Sequence, residues 1–106
     1  MRRLESLLII MKNNYFVYIL KMKDETLYCG ITNNVNKRMK QHSIGIASKY
    51  TRSRLPFILV FLAFIGSKSD ALKIEIKIKK LKKEAKLELI NSKLNALNYL
   101  TYISQF

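Results

Sequence analysis

A few side chains in this sequence have the types and spacing that chemistry would need. Tyr18 and Tyr28 are ten positions apart in otherwise apolar surroundings. Arg38 and His42 are four apart, so on a helix they share one face. Glu75 is the only acid among Lys73, Lys77, Lys79, Lys80, Lys82 and Lys83. The run Ser48-Lys49-Tyr50-Thr51-Arg52-Ser53-Arg54 mixes cations, hydroxyls and one aromatic ring. Its cations can neutralise phosphates, its hydroxyls can donate to them, and Tyr50 offers a stacking surface. Glycine-rich phosphate loops, metal-ligand clusters and serine triads are absent. Cys29 is the single cysteine, which excludes a disulfide framework and a cysteine zinc site and fits a reducing compartment, the cytoplasm. A small buried strand residue is the simplest role for Cys29, with a Cys29–His42 nucleophile pair as the alternative.

These residues need elements to position them, and Tyr15 to Ile31 is the organising stretch. Two runs rich in β-branched and aromatic residues flank the polar turn Lys23-Asp24-Glu25, a hairpin pattern. Val17, Ile19, Leu27, Cys29 and Ile31 are all odd-numbered and apolar. They form one face if odd pairs with odd, which an odd-length loop provides, and Tyr18 and Tyr28 then project together from the other face. A slip of one residue would separate the tyrosines.

Downstream, Thr32-Asn33-Asn34 supplies helix caps. Val35 and Met39 then anchor a short helix that carries Arg38 and His42. Ile44 to Pro56 reads as a loop. The apolar run Phe57 to Ile65, bounded by Pro56 and Gly66, suits a central strand covered on both faces. Lys73 to Lys79 alternates like a strand. Ser69 and Asp70 make an N-cap, however, and the stripe Ala71, Ile74, Ile78, Leu81, Ala85 favours a helix, with a break near Lys83. On that helix Glu75 lies at the margin of the apolar stripe, where an ordinary Glu75–Lys79 surface pair is the plain alternative. Residues 1–13 form an extension whose apolar run is too short for a signal peptide or a membrane span, and Met11 is a second candidate start. Residues 91–106 read as an amphipathic tail that covers the core or a protein partner.

The chain has 106 residues, one domain's worth, with 20 basic residues against 7 acidic ones and a formal net charge of +13. A polyanionic partner is the usual cause of such an excess. A membrane-surface role would need clean segregation of charged and apolar faces, and Leu72 and Ile76 spoil it.

Val17-Tyr18-Ile19-Leu20, Leu27-Tyr28-Cys29-Gly30-Ile31-Thr32, Arg38 and His42 together resemble the core of the GIY-YIG nucleases. Phe16-Val17-Tyr18 stands in place of the first triplet and Tyr28-Cys29-Gly30 in place of the second. Lys49-Tyr50-Thr51-Arg52 with Pro56, and Ala71-Leu72 before Glu75, resemble the small stand-alone bacterial branch. The resemblance spans residues 14–90. It implies an α+β fold, a small three-stranded antiparallel sheet flanked by helices, and metal-dependent phosphodiester hydrolysis with Mg²⁺ or Mn²⁺. By the same resemblance Tyr28 or Tyr18 activates water, Arg38 stabilises the transition-state charge, His42 relays a proton, and Glu75 holds the metal, with its carboxylate expected to point to the tyrosines instead of to Lys79. The nucleic-acid contacts expected are Lys49, Tyr50, Arg52, Arg54 and Lys79. The phenylalanine at position 16 replaces the family glycine, and Ile31 and Thr32 stand where some members carry a lysine. The expected activity is an endonuclease on DNA, with RNA left open, acting on branched or single-stranded substrates in repair or recombination. A non-catalytic nucleic-acid-binding module on the same fold is the alternative.

Overall fold

The hairpin adopts the register that the parity argument requires. The computed structural model describes residues 13–92 and residue 95. In it β1 (Tyr15–Met22) runs antiparallel to β2 (Leu27–Thr32), with Val17 opposite Ile31, Ile19 opposite Cys29 and Tyr18 opposite Gly30. The Lys23-Asp24-Glu25 turn is closed by Met22 N–H donating to the Thr26 carbonyl at 2.9 Å and Glu25 N–H to the Met22 carbonyl at 3.0 Å. Glu25 takes the left-handed conformation (φ 69°) that brings the chain back on itself. The Asp24 carboxylate accepts from the Thr26 N–H at 3.1 Å and from its hydroxyl at 2.5 Å.

Each face of the sheet has its own core. The odd face gathers Val17, Ile19, Cys29, Phe61, Ala63, Ala71 and Ile78. The even face gathers Phe16, Tyr18, Leu20, Met22, Val35 and Leu62. Burying each of the larger side chains contributes about 1.5–3 kcal/mol. On the even side sits α1 (Val35–Ser43), opened by Asn34, whose Oδ1 accepts from Lys37 N–H at 3.1 Å. On the odd side α3 (Lys68–Lys79) packs Ala71, Ile74 and Ile78 inward. The expected break follows it, and α4 (Lys83–Ile90) restarts the helix at Lys83.

Four expectations need correction. The sheet order is β2-β1-β3, so β1 is the central strand and β3 (Phe57–Gly66) lies at an edge. Its apolar run reflects two covered faces, while Ile58 and Phe64 stay more than half exposed. The loop Ile44 to Pro56 contains a single helical turn, α2 (Lys49–Arg52), because Ser48 caps it and Thr51 is buried beneath it. The cap of α3 is Ser67 in place of Ser69 or Asp70, with its hydroxyl oxygen accepting from Asp70 N–H at 3.1 Å. The fourth concerns Glu75 and belongs with the site.

β3 also carries a bulge. Ile19 faces Phe61 but Leu20 faces Leu59, leaving Val60 as the extra residue. That one-residue shift turns Leu59 and Phe57 onto the even face, where they join the tyrosine side of the core. The Asn95 amide gives β3 a partner here: its Oδ1 accepts from Leu62 N–H at 3.0 Å and its Nδ2 donates to the Val60 carbonyl at 2.8 Å. Apart from Asn95, the expected tail helix beyond residue 92 and the extension before residue 13 lie outside the described residues.

Candidate active site

Tyr18 lies across β2 directly over Gly30. A Cβ built on Gly30 would sit 2.5 Å from the Tyr18 hydroxyl oxygen, so the glycine of the second triplet is needed for this close approach. Tyr18 is only 1% exposed, and its hydroxyl lies 2.7 Å from Nε2 of the fully buried His42. Nδ1 of His42 lies 3.0 Å from the Thr51 hydroxyl oxygen, and that hydroxyl donates onward to the Ser48 carbonyl at 3.2 Å. The half-buried Tyr28 completes the group. Its ring centroid is 5.4 Å from His42, 6.4 Å from Tyr18 and 6.0 Å from Tyr50, on which it stacks. Phe57, turned in by the bulge, packs edge-on against His42 at 6.0 Å.

The charges around the group perturb it. Burial, and then the neighbouring Tyr28, raise Tyr18 well above the ordinary tyrosine range, while Arg38 opposes them. Burial first and Arg38 second lower His42 from 6.5 to about 4, so the imidazole is neutral at physiological pH. Arg38 is thus close enough to act on both Tyr18 and His42. Glu75, on α3, raises Tyr18 slightly and is the second cause, after burial, of a Cys29 thiol pushed up to about 12. A thiol held so high is an inert core group. It packs in the odd-face core while His42 packs over the even face, which removes the Cys29–His42 pair.

The expectation that Glu75 turns from Lys79 toward the tyrosines is not met. Glu75 Oε1 lies 3.7 Å from Lys79 Nζ, with the carboxylate side chain 16% exposed. The pair is long and its lysine half-exposed. Arg54, expected among the nucleic-acid contacts, is bonded within the protein. Its guanidinium lies 3.8 Å from the centre of the Tyr50 ring, with Nε 3.1 Å from Asp24 Oδ2 and Nη1 donating to the Tyr50 carbonyl at 3.0 Å. It therefore clamps α2 to the hairpin turn. Lys49 and Arg52 are exposed on α2.

Beside Tyr28 a cleft of about 310 Å³ opens between the β1–β2 hairpin and the helices, lined by Tyr28, Tyr50, Cys29, Ile78, Lys79 and Lys86. Two aromatic rings and two ammonium groups border it above an apolar floor. Sequence reasoning missed Lys86, which reads as one more lysine on a basic helix. It also missed Ser48 and Thr51 as partners of His42; the Ser-x-x-Thr capping spacing was the only signal of them.

Among the described residues no three His, Cys, Asp or Glu side chains cluster as a metal site. A lone, partly buried carboxylate fits a hard, water-rich cation such as Mg²⁺, which takes its remaining ligands from water and substrate phosphate.

A chain whose sheet carries two neighbouring tyrosines, one of them packed over a glycine, with an arginine helix on one side and a glutamate helix on the other, belongs to a recognisable class. The family model described as the GIY-YIG catalytic domain matches residues 14–88, and the chain belongs to that family, a family of nuclease-type domains. Within it the similarity is to small bacterial proteins. A UPF0213 protein of Clostridium perfringens is 53% identical over 78 residues, covering 74% of this chain and 84% of that protein. One from Staphylococcus haemolyticus is 40% identical over 79 residues, covering 74% of this chain and 96% of that protein. The solution structure of the UPF0213 protein of Bacillus halodurans is 38% identical, with a TM-score of 0.52, covering 85% of this chain and 96% of that one. Among the described residues no helix is long and apolar enough to cross a membrane.

Proposed function

We propose that this protein is a metal-dependent endonuclease that hydrolyses phosphodiester bonds in DNA, on branched or single-stranded substrates, with residues 14–90 as the nuclease domain. The observation that carries this reading is the convergence of Tyr18, Tyr28 and His42 under the charge of Arg38, beside a basic and aromatic cleft.

In this reading the roles of the tyrosines separate. Tyr18 is sealed against His42 and has little access to water. Tyr28 lines the cleft, so its hydroxyl aligns the attacking water, accepting a proton as it passes its own to solvent or phosphate. Arg38 stabilises the negative charge that develops on the phosphoryl oxygens. Glu75 holds the divalent cation, which supplies charge neutralisation when bound. Lys79 is released from its 3.7 Å pairing to meet phosphate, joined by Lys86, Lys49 and Arg52.

The test is incubation with labelled duplex, single-stranded and branched DNAs in Mg²⁺ or Mn²⁺ and in chelator. Cleavage is expected with metal only. Tyr28→Phe should lower it about 10²-fold or more without loss of fold or DNA affinity. Glu75→Gln should abolish cleavage while preserving binding. Tight binding with no cutting of any substrate would establish the binding-module alternative.

A further inference from the structure

We propose that Thr51 is a positioning residue that fixes the tautomer of His42 and thereby the direction of the Tyr18 hydroxyl. The hydrogen bonds settle that direction by counting protons. Three buried groups form one chain: Tyr18 Oη, the two nitrogens of His42 and Thr51 Oγ1. A neutral imidazole carries a single ring N–H, so one nitrogen donates and the other accepts.

Suppose that Nδ1 bears the proton. It then donates to Thr51 Oγ1, the Thr51 hydroxyl donates to the Ser48 carbonyl, and Tyr18 donates to Nε2. All three protons are then used, at 3.0, 3.2 and 2.7 Å. With the proton on Nε2, the imidazole would donate to Tyr18 instead. The Tyr18 proton would then have no acceptor, because His42 is the only hydrogen-bond partner of Tyr18 Oη among the described residues. Leaving a hydroxyl of a residue 1% exposed without an acceptor is costly. The Ser48 carbonyl is therefore the terminus that orients the chain. Thr51 is held under it by its place in a capped helical turn, with its own N–H donating to Ser48 Oγ at 3.3 Å.

The consequence rests on the nuclease reading. In this direction Tyr18 gives its proton into the protein, and its buried ring is held in one orientation beside Tyr28, the residue that meets the attacking water. A reversed chain would leave the Tyr18 proton without an acceptor and the ring without a fixed place beside Tyr28. Thr51 touches no substrate in this account; it acts through His42 on Tyr18. Its contribution is that Tyr18 and His42 keep one arrangement of protons behind Tyr28.

The experiment uses the full chain, which has a single histidine, so ¹⁵N-labelled histidine gives one pair of ring nitrogens in long-range ¹H–¹⁵N spectra. The wild type should show a protonated Nδ1 and an unprotonated Nε2. Thr51→Val, which removes the hydroxyl and keeps the shape, should move the proton toward Nε2 and lower cleavage about 10- to 100-fold. Thr51→Ser should restore both. A wild-type spectrum with the proton on Nε2 would overturn the proposal, as would a Thr51→Val protein with unchanged tautomer and unchanged cleavage. If Thr51→Val does not fold, the wild-type and Thr51→Ser spectra decide the tautomer. A protein that cuts none of the DNAs removes the nuclease reading, and the spectrum still decides the proton's position.

Discussion

His42 is the residue at which sequence, burial and pH meet. It is fully buried, edge-on to the rings of Tyr18, Tyr28 and Phe57 and bonded to Thr51. Burial and Arg38 hold its pKa at about 4, against 6.5 for the free side chain. Between those two values the unfolded chain binds a proton that the native protein refuses, so stability falls as pH drops from 6.5 toward 4. It stops falling below 4, where both states are protonated. A shift of this size is worth up to about 3 kcal/mol. Urea unfolding midpoints at pH 7 and pH 4.5 should diverge in the wild type, and less so in His42→Gln, which has nothing to titrate. Equal sensitivity in both proteins would mean that another group causes the loss. Tyr18, raised by its burial, stays a neutral phenol throughout this window.

At the scale of elements, the hairpin is defined by a close approach as much as by its pairing. Gly30 faces Tyr18 across the ladder, and its missing side chain is the space that the tyrosine hydroxyl occupies. Gly30→Ala would place a methyl group 2.5 Å from that oxygen. The three nearest atoms all belong to the Tyr18 side chain, so the ring must tilt away and lose the 2.7 Å bond to His42. Overpacking of this kind costs about 1–3 kcal/mol. Thermal unfolding should reveal the loss, and an unchanged melting temperature would mean that the ring has room to move. The register was legible in the sequence because side chains alternate with a period of two, so five apolar odd positions admit one pairing. The rank of β3 was not legible. An apolar run reports that both faces of a strand are covered, and β3 is covered on both while still lying at an edge. Nor was the bulge at Val60, since an added residue leaves no mark in a continuous apolar run. Tyr18, His42 and Thr51 are separated by 24 and 9 positions, so no local pattern joins them. Their contact follows only once α1 and α2 fold over the even face.

At the scale of the whole molecule, 13 excess positive charges on 106 residues need an anionic partner or a solvated surface. The cations are not equivalent. Lys49 and Arg52 are exposed on α2, and Lys79 and Lys86 border the cleft. Arg54 is engaged with Asp24 and Tyr50, so its charge is already committed within the protein. Two kinds of basic residue should therefore separate in a salt titration of DNA binding. Each phosphate neutralised adds about 0.9 to the magnitude of the log–log slope on duplex and about 0.7 on single strands. Arg52→Ala should lower that slope by about one contact on either substrate. Arg54→Ala should leave the slope nearly unchanged, because what it loosens is the stacking of Tyr50 on Tyr28. Its loss should appear as weaker binding at every salt concentration, a parallel displacement of the line. Fluorescence anisotropy with a short labelled strand, at several salt concentrations, reads both quantities. If Arg54→Ala flattens the line as much as Arg52→Ala does, Arg54 leaves Asp24 when DNA binds and contacts phosphate itself.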